Sequence, residues 1–85
     1  MKEQMNQHDA EGRRHGLWEW YYSDGTLLCR EHYHHGKWHG TWEWYWGNGK
    51  LWRKEHWHYG VRKGLSTWWD SQGRITDKRY HLVVR

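Results

Sequence analysis

Residues 15–36, HGLWEWYYSDGTLLCREHYHHG, and residues 39–60, HGTWEWYWGNGKLWRKEHWHYG, align without a gap at a period of 24 and are identical at 12 of 22 positions. A third, degraded copy begins at Lys63, KGLSTWWDSQGRITDKRYHL, and keeps Gly64, Trp68, Gly73 and the apolar Ile75. A fixed period of this length marks an architecture in which each repeat is one supersecondary unit. Within the copies, Asp24-Gly25, Asn48-Gly49 and Gln72-Gly73 each separate an aromatic run from an apolar and charged alternation. Such pairs supply the positive φ of tight hairpin turns, so the unit is a β-hairpin. A two-residue type I′ turn is the first expectation, and a type I turn with a glycine bulge is the variant. With two-residue turns Glu19 faces Arg30 and Glu43 faces Lys54. Opposite charges on the same rung in two copies support that register. His35-Gly36 and Tyr59-Gly60 then carry the chain into the next hairpin.

The expected fold is all-β: three β-hairpin repeats (14–36, 37–60 and 61–84) forming a six-stranded antiparallel meander in a single curved sheet. Strands are expected near 14–22, 27–34, 37–46, 51–58, 61–70 and 75–82. Residues 1–13 lack the pattern and read as a flexible or weakly helical tail to the repeat domain 14–85. Alternation sorts the side chains onto two faces. One face collects Trp18, Trp20, Tyr22, Tyr33, Trp38, Trp42, Trp44, Trp46, Trp57 and Trp68, together with Leu27, Leu51, Ile75, Cys29, Glu31, Arg53 and Glu55. Gly16, Gly40 and Gly64 fall beside large rings on this face and are expected to leave them room. The other face carries Glu19, Arg30, Glu43, Lys54 and most of the histidines, with Tyr21, Tyr45, Trp52 and Trp69.

Composition agrees with a small folded domain. Eighty-five residues make one domain, and 16 of its 30 apolar residues are aromatic, with ten Trp, six Tyr and no Phe. Aromatic rings bury about 150–250 Å² each, which compensates for a poor aliphatic supply. The polar start, Met1 to Gln7, is no signal peptide, and no window is apolar enough for a membrane helix. A lone Cys29 cannot form an internal disulfide, which fits a cytoplasmic protein. The net charge of +4 comes from scattered basic residues. Scatter favours an anionic partner and argues against nucleic acid, where basic residues cluster. One sheet without a covering helix leaves its aromatic face open, so a homodimer or higher homo-oligomer through the Trp-rich face is expected.

The pattern Gly-x-Trp-x-x-Tyr-x-x-Asp/Asn-Gly-x-Leu, followed by Tyr or Trp and a closing Gly, resembles the MORN-type repeat, closest to the bacterial variant group known as YwqK-type antitoxins. Gly16, Trp18, Tyr21, Gly25, Leu27, Tyr33 and Gly36 carry it in the first copy; Gly40, Trp42, Tyr45, Gly49, Leu51, Trp57 and Gly60 carry it in the second. The third departs through Ser66, Gln72 and Val84, as suits a terminal cap. The resemblance implies hairpin repeats with a binding or scaffolding role, and no catalytic residues.

Several constellations invite chemistry. Glu31 and Glu55 beside Trp rings suggest a glycosidase pair, but the expected sheet separates them by roughly 11–12 Å, beyond the ~5–10 Å such pairs need. Cys29 among rings is expected to be a poor nucleophile, because apolar burial raises a thiol's pKa. His32, His39 and His58 form one row across three expected strands, a set that could hold Zn²⁺ or Ni²⁺; the plainer reading is a solvated histidine face. No nucleophile elbow, phosphate loop or acid/base pair is present, so no enzyme and no obligatory cofactor are expected.

Two functions follow. The first is sequestration of an anionic, nucleotide-like ligand by Trp42, Trp44, Trp46 and Trp57 with Arg53 and Arg62, since rings stack bases and guanidinium groups hold phosphate. A bacterial or phage protein of this build could blunt nucleotide signalling. The second is an antitoxin-like inhibitor that covers a toxin or effector surface with Trp, Tyr and Arg, the usual anchors of protein interfaces.

Overall fold

The computed structural model describes residues 5–82, and every regular element among them is a β-strand. In chain order these are β1 (Gln7–His8), β2 (Arg14–Tyr21), β3 (Leu27–His34), β4 (Lys37–Trp38), β5 (Gly40–Tyr45), β6 (Leu51–His58), β7 (Val61–Arg62), β8 (Gly64–Trp69) and β9 (Ile75–His81). They form one open antiparallel sheet in the order β1-β2-β3-β5-β6-β8-β9, with β4 on β3 and β7 on β6. The three-hairpin meander is therefore present, in a slab of 42 × 41 × 22 Å. No helix among the described residues is long and apolar enough to cross a membrane.

The expected strands 37–46 and 61–70 are each interrupted, at His39 and at Lys63. A left-handed glycine follows each break: φ is +82° at Gly40 and +72° at Gly64. Room for a ring is not the reason at Gly64 or Gly16, where a Cβ would meet nothing within 4 Å; at Gly40 a Cβ would touch the His32 side chain at 3.4 Å. The backbone conformation is the reason, since a Cβ clashes with its own carbonyl in that region.

The two turn types are distributed differently from the first expectation. At the hairpin tips Gly25 donates to the Tyr22 carbonyl (2.9 Å) and Gly49 to that of Trp46 (2.9 Å). Gly25 and Gly49 have positive φ, but Asp24 and Asn48 do not. This is the type I turn with a glycine bulge, held by Asp24 Oδ1 accepting the Thr26 amide at 3.0 Å and Asn48 Oδ1 accepting the Lys50 amide at 2.9 Å. The type I′ turns lie between hairpins instead: His35 and Gly36 have φ of +47° and +85°, Tyr59 and Gly60 +47° and +86°.

Each tip bulge is offset by a register shift two rungs later, between Trp20 and Tyr21 and between Trp44 and Tyr45. Beyond that shift the expected pairs hold: Glu19 faces Arg30, Glu43 faces Lys54, and Trp44 faces Arg53. Near the tips face parity fails. Leu27, Leu51 and Ile75 pair with Tyr21, Tyr45 and Trp69, so they leave the aromatic face. Trp46 packs against Trp52 (5.6 Å between centroids) and donates its indole N–H to the Trp69 carbonyl (3.3 Å).

The expected tail is partly sheet. Gln7 and His8 pair with His15 and Arg14, and the turn Asp9–Gly12 closes with Gly12 donating to the Asp9 carbonyl at 3.0 Å. The Asp9 carboxylate accepts the Glu11 and Arg13 amides, each at 2.9 Å, which holds that turn by hydrogen bonds. Residues 1–4 and 83–85, the cap position Val84 among them, lie outside the described part. The core is aromatic: Trp18, Tyr33 and Trp42 are buried, with Trp44 and Trp57 packed on them.

Candidate functional site

The aromatic face is built around Trp42, which is 1% exposed. Trp38 stacks on it at 3.7 Å and 23°, Tyr33 meets it edge-on at 5.3 Å, and Trp44 lies 5.5 Å away. Trp57 stands edge-on to Trp38 at 4.6 Å. Trp42 satisfies its indole N–H on the His32 carbonyl (2.9 Å), so its burial leaves that donor paired. Of the expected ligand-binding rings, Trp42, Trp44 and Trp57 come together, and Trp46 does not. Trp42 itself is core.

The two guanidinium groups are already engaged. Glu55 is completely buried, and its Oε2 accepts Arg53 Nη2 at 2.9 Å and Arg62 Nη1 at 3.0 Å, while Oε1 accepts the Trp57 indole at 3.4 Å. A buried carboxylate needs such partners, because desolvating an unpaired charge costs several kcal/mol. Arg53 also lies over Trp44, 4.6 Å from the ring centroid, and its buried Nε meets no partner among the described residues. Arg53 therefore serves Glu55 and the Trp44 ring. Arg62 sits 5.9 Å over Trp57 with 38% of its side chain exposed, so part of its guanidinium still reaches solvent.

The open space lies at the neighbouring end of this face. A recess of about 340 Å³ is lined by Gly36, Lys37, Trp38, Trp57 and Gly60. The type I′ turns bring two glycine backbones to its rim, and the Trp38–Trp57 pair forms its wall. Trp38 is 37% exposed, and Lys37 makes no ion pair among the described residues. Sequence alternation places Trp38 on the correct face but gives no reason to rank it above the others. The signal lies in its repeat position, which Arg14 and Arg62 occupy in the flanking units.

The histidines gather at the same end of the sheet. His39 and His58 are neighbours, with 5.3 Å between ring centroids. His32 meets His39 through backbone, its carbonyl accepting the His39 amide at 2.9 Å. The ring nitrogens that converge among the described residues are instead those of His15, His34 and His35. His15 and His39 also support the turns in the same way, since their Nδ1 atoms accept the amides of the left-handed His35 (3.0 Å) and Tyr59 (3.2 Å).

The remaining reactive types are occupied. Glu31 accepts the Trp20 indole at 2.8 Å and the Tyr33 hydroxyl at 3.1 Å. Cys29 is buried, and burial, reinforced by the Glu31 charge, pushes its thiol up to about 12. At neutral pH such a thiol is protonated and a weak nucleophile.

No curated protein and no solved structure matches the chain. The family model for the MORN repeat variant matches it twice, over residues 14–35 and 38–59, which together are just over half of its length. Those two matches coincide with the first two hairpins of the sheet, and the chain belongs to the MORN repeat variant family.

Proposed function

We propose that this chain is a non-catalytic, cytoplasmic binding protein that sequesters an anionic, nucleotide-like ligand in the recess beside Trp38 and Trp57. The observation that carries the reading is the recess itself: two partly exposed indoles meeting edge-on at 4.6 Å, with Lys37 beside them. A base stacked on one ring would place its phosphate near Lys37 and the solvent-facing part of Arg62. The volume of about 340 Å³ is at the small end of ligand sites, which suits one nucleotide-sized group. Stacking contributes about 1–3 kcal/mol per base, so Trp57→Ala should weaken binding roughly 5–150-fold. Titration of Trp emission with nucleoside monophosphates tests this. Saturable quenching, lost in Trp57→Ala and weakened in Lys37→Ala, is the expected result; no quenching by any nucleotide would refute it.

A second reading is an antitoxin-like inhibitor that covers a protein surface, with the same face serving a homodimer. The exposure of Trp20 (38%) and Trp38 (37%) on one open face favours it. Light scattering at micromolar concentration separates the two occupants: a stable dimer that excludes nucleotide assigns the face to a second copy.

A further inference from the structure

We propose that His15, His34 and His35 form a binding site for a divalent first-row transition metal, of the class of Zn²⁺ or Ni²⁺, on the first hairpin. The ligand atoms of these three imidazoles all lie within 4.8 Å of one another. Their ring centroids are 4.4 Å (His15–His35), 4.7 Å (His34–His35) and 5.3 Å (His15–His34) apart. Metal–nitrogen bonds of about 2.0–2.1 Å require the nitrogens to draw closer, which surface side chains can do by rotation.

One of the three rings is already oriented as a metal ligand would be. His35 Nδ1 lies 2.7 Å from Asp9 Oδ2, an arrangement that holds the proton on Nδ1 and leaves the Nε2 lone pair outward. Asp9 is itself fixed, with only 6% of its side chain exposed, by the Glu11 and Arg13 amides and the Arg13 guanidinium. His15 must exchange its Nδ1 bond to the exposed His35 amide for the metal, a trade of one neutral hydrogen bond. Imidazole-only donors select Zn²⁺, Cu²⁺ and Ni²⁺ over Ca²⁺ or Mg²⁺.

The second hairpin is a built-in control. His39, His58 and Tyr59 stand where His15, His34 and His35 stand in the first, so it has two imidazoles and a phenol. Tyr59 has the same φ of +47° as His35, and its amide is capped in the same way. His35→Tyr therefore copies a turn that this chain already forms.

The experiment is calorimetric titration of tag-free, chelator-treated full chain with NiCl₂ and ZnCl₂ at pH ~7.5, with elemental analysis after dialysis. One metal per chain is expected, with affinity falling as pH drops through the imidazole range. His35→Tyr, shown folded by its melting curve, should weaken binding at least about tenfold, and Asp9→Asn about 10–100-fold. No uptake, or uptake unchanged in folded His35→Tyr, overturns the site; the second outcome would move the metal to other histidines.

Discussion

The first two hairpins share twelve identical positions, yet the same glutamate rung is satisfied in opposite ways. Glu31, half-buried in the first, accepts an indole N–H and a phenol O–H. Glu55, fully buried on β6, takes two guanidinium groups. The donors come from the positions where the copies differ: Arg53 replaces Cys29, and Arg62 stands where the previous unit has Trp38. A carboxylate that keeps some water tolerates neutral donors; one that loses all of it needs countercharge. Both repeats thus carry the acid, and depth in the sheet decides its partners.

The largest effect should come from the ring under both hairpins. Trp42→Ala should cost about 3–5 kcal/mol in chemical denaturation, since Trp42 is 1% exposed and stacked on Trp38. Glu55→Gln comes next, at about 3 kcal/mol, because it leaves two guanidinium groups facing a neutral amide. Glu31→Gln should cost only about 1 kcal/mol, the worth of ordinary hydrogen bonds. Equal losses for the two variants would break the comparison.

Acidification should act on the histidine end. His34 and His58 have folded pKa values below 6.5, chiefly through burial, with neighbouring imidazoles adding for His34 and the Lys63 charge for His58. A depressed folded pKa contributes stability that is present above the unfolded value of about 6.5 and is lost as pH falls through the folded one. The melting temperature should therefore fall below pH ~6.5, and His34→Gln should blunt that fall; a melting temperature flat from pH ~7.5 to ~5.5 would contradict it.

The smallest effect distinguishes the outer rungs. Arg30 binds Glu19 at 2.7 Å, whereas Lys54 lies 3.9 Å from Glu43. Double-mutant cycles should give about 1 kcal/mol for the first pair and about 0.3 kcal/mol for the second.

Much of this is readable in the repeat. The period, the Asp-Gly and Asn-Gly tips and the charged rungs specify three hairpins and the register of their middle portions. The tip geometry is not readable, because a glycine bulge and its compensating shift leave the middle rungs where a two-residue turn would put them. Trp46, Leu27, Leu51 and Ile75, next to the tips, carry the difference. The roles of Arg53 and Arg62 escape a reading that assigns charge to a ligand before pairing the acid on the same face. The N-terminal strand has no apolar signal of its own; Asp9 builds its turn from hydrogen bonds.

The most direct test of the proposed recess is the ¹H–¹⁵N spectrum of the ten indole N–H groups during titration with a nucleoside monophosphate. The account predicts that the Trp38 and Trp57 resonances move together and saturate, while Trp46 and Trp52, outside the recess, stay in place. An unchanged spectrum, or shifts confined to Trp46 and Trp52, would contradict it.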